Sequence, residues 1–172
     1  MELILASQSP RRRQLLELMG LQFQVMSAAA DEWMDPTKPV EEEIGRVSRL
    51  KAEAVLAQAP QGACIIAADT LVCIDGQRLG KPRDEAEAEA MLRRLSGRDH
   101  TVMTGVSVLR GDRVETFTEK TQIHFRPLSA PEIRAYVATG EPMDKAGAYG
   151  IQGGAALFVS AICGDYYNVM GL

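Results

Sequence analysis

The sequence predicts an α/β protein, a mixed twisted sheet flanked by helices, and three observations predict it. Ala63-Cys64-Ile65-Ile66-Ala67-Ala68 is apolar without polar alternation, as in a central strand covered on both faces. Leu3-Ile4-Leu5-Ala6 runs through a polar turn into Leu15, Leu16, Leu18 and Met19 at helical spacing, a strand-to-helix unit. Residues 100–110 and 113–125 flank Gly111-Asp112 and read as a long antiparallel hairpin. With 172 residues the chain suits one domain, 1–172, long enough to bury a sizeable core.

The first turn organises the rest. Ser9 stands at the N-cap and Pro10 at the first helical position, where its missing N–H costs nothing. Arg11, Arg12 and Arg13 follow, although cations are disfavoured at the positive end of a helix dipole. Free backbone N–H groups, the Ser7 and Ser9 hydroxyls and the guanidinium forks together compose an anion site suited to phosphate; a solvated basic turn is the plain alternative.

Gly20 stops this helix, and Phe23 to Met26 suit a short strand. Asp31-Glu32 behind it reads as a surface loop or half of a divalent-metal site. A second helix runs from Pro39 to about Gln58, with Glu41, Glu42 and Glu43 in its first turn. Val40, Ile44, Val47, Ala54 and Val55 form its apolar stripe, and Lys51 falls inside it. A lysine there either pairs with a core carboxylate, snorkels to an edge, or reaches a phosphate.

Asp69-Thr70 follows the central strand at its carboxyl end, where open α/β sheets place ligand chemistry, so Asp69 reads as functional or hydrogen-bonded. Leu71 to Ile74 continues extended to an Asp75-Gly76 turn, and Lys81 lies on the return arm as a loop lysine. Asp84 caps a third helix with Ala88, Met91, Leu92 and Leu95 inward, and Ser129 to Glu132 has the capping-box layout of a fourth, through Thr139. Residues 140–154 hold five of the fifteen glycines, a density that lets backbone approach a ligand or simply marks a mobile loop. Gln152 in that loop has the paired donor and acceptor that read a base edge. Ala155 to Ile162 reads as a closing strand.

Charge and composition exclude broad classes. The net charge of −4 and pI of about 5.3, with no basic block beyond 11–13, speak against a general nucleic-acid surface. No apolar run approaches bilayer length, and the start lacks a secretory layout, so a cytoplasmic protein without membrane partners is expected. Cys64, Cys73 and Cys163 form no C-x-x-C pair and read as buried free thiols, and His100 and His124 lack zinc-site or triad neighbours.

These stretches together resemble the Maf family of nucleoside-triphosphate pyrophosphatases. The residues that carry the resemblance are Leu5-Ala6-Ser7-Gln8-Ser9-Pro10-Arg11-Arg12, Glu32, Lys51, Ala68-Asp69-Thr70, Lys81-Pro82, Leu95-Ser96-Gly97, Asp144 to Gly153, Tyr167-Asn168-Val169 and Gly171-Leu172. The resemblance implies an ITPase-like fold with a cleft between two lobes, and hydrolysis of a nucleoside triphosphate to monophosphate and pyrophosphate with a divalent cation, Mg²⁺ or Mn²⁺. It implies that Asp69 activates the attacking water, that Lys51 and Lys81 contact substrate phosphates, that Ser7 and Arg12 belong to the polyphosphate cradle, and that Glu32 helps to hold metal. Ala148 to Gly153 resembles the branch acting on dTTP and UTP, with Arg11, Thr70 and Gln152 matching positions linked to substrate choice. A homodimer is implied too, as is a further helix beyond Leu172 that would cover apolar sheet surface. The rival reading is a nucleotide-binding regulatory protein linked to cell division, in which turnover is secondary. Retention of Asp69 beside two lysines speaks for turnover, since a carboxylate would weaken a site that only bound phosphate.

Overall fold

A computed structural model describes residues 2–172, in seven strands and five α-helices. The strands are β1 (Leu3–Leu5), β2 (Gln24–Val25), β3 (Cys64–Ile74), β4 (Gln77–Leu79), β5 (Asp99–Arg110), β6 (Arg113–Phe125) and β7 (Val159–Cys163). The helices are α1 (Pro10–Leu18), α2 (Val40–Leu56), α3 (Glu85–Leu95), α4 (Ala130–Val137) and α5 (Tyr166–Met170). The hydrogen-bonded order is β2-β1-β3-β5-β6-β7, with β4 on β3. β1 is parallel to both β2 and β3, whereas β4 and β7 pair antiparallel, so the sheet is mixed as expected. No described helix is long and apolar enough to cross a membrane.

The chain divides into two compact units, one of residues 2–70, Thr104–Glu119 and Gly171–Leu172, the other of Leu71–Met103 and Lys120–Met170. In the first, Ile4, Ala6, Ile65, Ala67 and Leu109 of the sheet pack with Ala52 and Val55 of α2. Helix α2 lies very close to the sheet, because a Cβ at Gly105 would stand 2.4 Å from the Ile44 carbonyl oxygen. Helix α1 departs from expectation in detail. Ser9 is the N-cap without a side-chain capping bond, and although Leu15 and Leu16 are buried, Leu18 and Met19 are exposed. The helix ends after nine residues, with Leu18 as its last residue and Met19 at its C-cap.

The second unit has a core of Val72, Leu92, Leu95, Ile123, Phe125, Ile133, Tyr136, Tyr149 and Phe158 among others. Asp84 accepts from Glu87 N at 2.8 Å and Ser129 and Glu132 complete the capping box, so both helix starts are as read from sequence. The Asp75-Gly76 turn has φ of 51° and 71° with Ile74 opposite Gln77, the two-residue hairpin geometry of a type I′ turn. The expected strand from Ala155 is shorter: residues 154–158 form a 3-10 turn that buries Phe158, and extended pairing begins at Val159. Cys163 is exposed, not buried, at the end of that strand.

Burial in this core pushes the His100 imidazole down to about 4, with nearby His124 adding to the effect and Asp99 opposing it. A histidine whose pKa is lower folded than unfolded contributes stability above its unfolded value, and that contribution is lost as pH falls through the folded one. The expected result is a fall in the unfolding midpoint between pH 6.5 and about 4, shallower in His100→Leu, measured by denaturant titration across that range.

Candidate active site

The strand that carries the candidate acid is one continuous element. Asp69-Thr70 lies in the middle of β3, not at its carboxyl end, because Leu71-Val72-Cys73-Ile74 is itself β-prone and pairs onward with β4. Lys51 on α2 is 16% exposed and turns toward this strand, donating to Asp69 Oδ1 at 2.6 Å and meeting Glu32 Oε2 at 3.1 Å. Of the roles open to an inward lysine, pairing with a carboxylate is the one observed. One ammonium thus holds two carboxylates that are 18 and 19 residues away from it in sequence.

Glu32 comes from a loop, and the loop is fastened to the same helix. Glu43, 2% exposed, accepts from Asp35 N at 2.7 Å and from Arg46 Nε and Nη2 at 3.1 and 2.9 Å. The Arg46 hydrogen bond, then the Asp35 N–H, hold the Glu43 carboxyl below the usual carboxylate range. Arg46 also donates to the Trp33 carbonyl. Sequence reading assigned Glu43 to the helix dipole and missed this tether; the signal available was Glu43 and Arg46 at i, i+3.

Around the first turn, Ser7 Oγ accepts from Ser9 N at 3.1 Å and from Arg12 Nη1 at 3.2 Å. Arg12 further donates through Nε to the Gly171 carbonyl at 2.7 Å and through Nη2 to Thr70 Oγ1 at 3.1 Å. Three of its N–H groups are therefore engaged by the protein, and the guanidinium ties the turn after β1 to β3 and to the last residues of the chain. Burial lowers Arg12 to about 10, with Arg11 pushing the same way and Asp69 and Glu32 opposing; it remains a cation at neutral pH. Arg11 is half-buried and Arg13 exposed. Thr70 Oγ1 also bonds the buried Thr104 Oγ1 at 3.0 Å, a partner that sequence reading did not single out.

In the first unit, then, two bonded sets, Ser7–Arg12–Thr70 and Glu32–Lys51–Asp69, meet where Asp69 and Thr70 adjoin in β3. Lys81 and Gln152 belong to the second. Lys81 is exposed, directly after Gly80, whose carbonyl accepts from Gly147 N at 3.0 Å. Gln152 is exposed in a turn closed by Gly153 N to the Gly150 carbonyl at 3.2 Å. The glycines here make room for the segment's own side chains: Glu141 accepts from Tyr136 Oη at 2.9 Å and Gly154 N at 3.2 Å, and its carboxylate occupies the space a Cβ at Gly153 would need.

Two carboxylates that meet one cationic atom fit a hard divalent cation, which takes one or two carboxylates and completes its shell with phosphate and water oxygens. Among the described residues no cluster of three or more His, Cys, Asp or Glu side chains is placed to hold a metal without such outside ligands.

A family model described as Maf-like protein matches residues 2–172. The chain is 52% identical over 170 residues to the dTTP/UTP pyrophosphatase of Bacillus velezensis, spanning 99% of this chain and 89% of that protein. It is 53% identical over 171 residues to the dTTP/UTP pyrophosphatase of Symbiobacterium thermophilum, spanning 99% and 88%. Among solved structures, the Staphylococcus aureus Ham1 protein superposes with a TM-score of 0.52 at 17% identity, over 73% of this chain and 72% of that one, a likeness of fold.

Proposed function

Because the chain belongs to the Maf-like protein family, we propose that it is a nucleoside-triphosphate pyrophosphatase that hydrolyses dTTP and UTP to the monophosphate and pyrophosphate. The observation that carries the reading is the convergence of Glu32 and Asp69 on Lys51 beside the Ser7–Arg12 turn. The names of relatives at 52% and 53% identity support the substrates.

Asp69 orients the attacking water and takes its proton, as a positioned carboxylate does in general base catalysis. Lys51 holds Asp69 in place and is an ammonium donor for phosphate oxygens, and Lys81 supplies a second phosphate contact. Preorganised cations of this kind stabilise the charge that builds up in phosphoryl transfer. Ser7 and Arg12 shape the polyphosphate cradle, with Arg11 and Thr70 setting substrate choice from the same turn and strand. Glu32 and Asp69 would hold a divalent cation, Mg²⁺ or Mn²⁺, which when bound neutralises phosphate charge and acidifies water. A cytoplasmic location and a homodimer complete the proposal.

Gln152 reads the base. Its amide offers a donor and an acceptor, matching the imide edge that thymine and uracil share. The test is pyrophosphate release over dTTP, UTP, CTP and GTP. Wild type should favour the first two, and Gln152→Ala should reduce that preference by about tenfold with kcat on dTTP little changed. Unchanged preference would remove Gln152 from base reading, and orthophosphate as the product would remove the pyrophosphatase.

A further inference from the structure

The Tyr149 ring lies at the centre of the second unit, next to the turn that carries Gln152. It is 5% exposed, and its hydroxyl shares a 2.7 Å hydrogen bond with Nε2 of His100, itself 3% exposed. The two rings meet edge to face at 5.4 Å, and Phe125 packs edge-on against both, at 4.8 and 4.9 Å. His100 Nδ1 has no hydrogen-bond partner among the described residues.

A phenylalanine would fill the Tyr149 site without any buried polar atoms, and an apolar residue at position 100 would leave no ring nitrogen unpaired. Two polar groups in an apolar core, one of them half-satisfied, are a poor device for stability but a good one for direction, because a hydrogen bond fixes a ring where packing alone lets it slide.

The backbone before Tyr149 bears this out. Ala148 has a φ of 60°, in the left-handed region that residues with a Cβ avoid, and Gly147 at 68° packs so tightly that a Cβ would stand 2.7 Å from Val72. Such a turn persists only where its surroundings over-determine it. On one side Gly147 N is bonded to the Gly80 carbonyl, and on the other Gly150 N donates to Tyr136 Oη at 3.2 Å. The His100–Tyr149 bond is the anchor between these two, three residues before Gln152.

We propose that His100 is a positioning residue for substrate choice: through Tyr149 it fixes the turn over residues 147–153 and so sets where Gln152 presents its amide. This rests on the reading of Gln152 as the base contact.

Tyr149→Phe tests it with the fold preserved, since the ring stays and only the hydroxyl is lost. The preference for dTTP over CTP should fall by about tenfold through a rise in KM for dTTP, with kcat within about twofold. Amides of residues 147–153 should exchange with solvent about tenfold faster, with no matching change in the exchange of α3. His100→Leu should reproduce both effects, and His100→Gln, which restores a donor on a side chain of similar reach, should recover part of the preference. Unchanged preference in Tyr149→Phe, with Gln152→Ala still losing it, would overturn the inference and leave base reading intact. If Gln152→Ala also kept its preference, base reading itself would fall, and with it the role given to His100. Unchanged amide exchange would overturn the anchoring whatever the kinetics.

Discussion

Asp69→Asn is expected to lower kcat for dTTP by about 10²–10⁴-fold, the range over which a positioned general base acts, with KM changed little. Asparagine has the same shape and keeps an oxygen that accepts from the Lys51 ammonium, 2.6 Å away in the wild type. The link between α2 and β3 therefore survives, and the variant should bind nucleotide. It lacks the anionic oxygen that takes a proton from water. Steady-state pyrophosphate release and nucleotide titration together check this, and normal turnover in a folded Asp69→Asn would take Asp69 out of the mechanism.

The second large effect is on stability. Gly105→Ala should destabilise the protein by about 1–3 kcal/mol, the range for overpacking a well-packed contact. Its Cβ would stand 2.4 Å from the Ile44 carbonyl oxygen and 2.8 Å from Gly45 N, both backbone atoms of α2, so no side chain can rotate to make way. Helix and strand must separate. The same helix carries Lys51 and the Glu43–Arg46 tether of the Glu32 loop, so turnover should fall as well, even at temperatures where the variant is folded. Thermal unfolding with parallel kinetics checks both parts, and an unchanged midpoint would show that α2 needs no such close seat on the sheet.

Much of this architecture was legible because it rests on local signals. Pro10 behind Ser9, the Asp84 cap, the Ser129–Glu132 box and the Asp75-Gly76 turn are each set by a few adjacent residues, and each is found where periodicity and turn chemistry put it. Two stretches were misread. Asp69-Thr70 resembles the polar end of an apolar strand, yet β3 runs on through it, paired before it with β1 from the start of the chain and after it with β4 across the Asp75-Gly76 turn. Ala155 to Phe158 continues the apolar run of the expected closing strand, but burial of Phe158 draws it into a 3-10 turn.

The site divides along the same line. Lys51 was conspicuous in sequence as a charge on an apolar stripe, yet its partners come from elements that sequence alone does not bring together. Arg12 bonds Gly171 across 159 residues and Thr70 across 58, contacts with no local signature. Thr104, which supports Thr70, was hidden for the same reason, whereas Glu43, which supports the Glu32 loop, had a local signature in Arg46 three residues on. His100 was dismissed for want of metal or triad neighbours, and its partner Tyr149 lies 49 residues away.

The most direct test of the central claim is hydrolysis of dTTP in heavy-oxygen water, with mass analysis of both products. A water aligned by Asp69 on the α-phosphorus places the label in dTMP and leaves pyrophosphate unlabelled. Label in pyrophosphate would place the attack at the β-phosphorus and contradict the account, and dTTP bound but left uncleaved would favour the nucleotide-binding regulator instead.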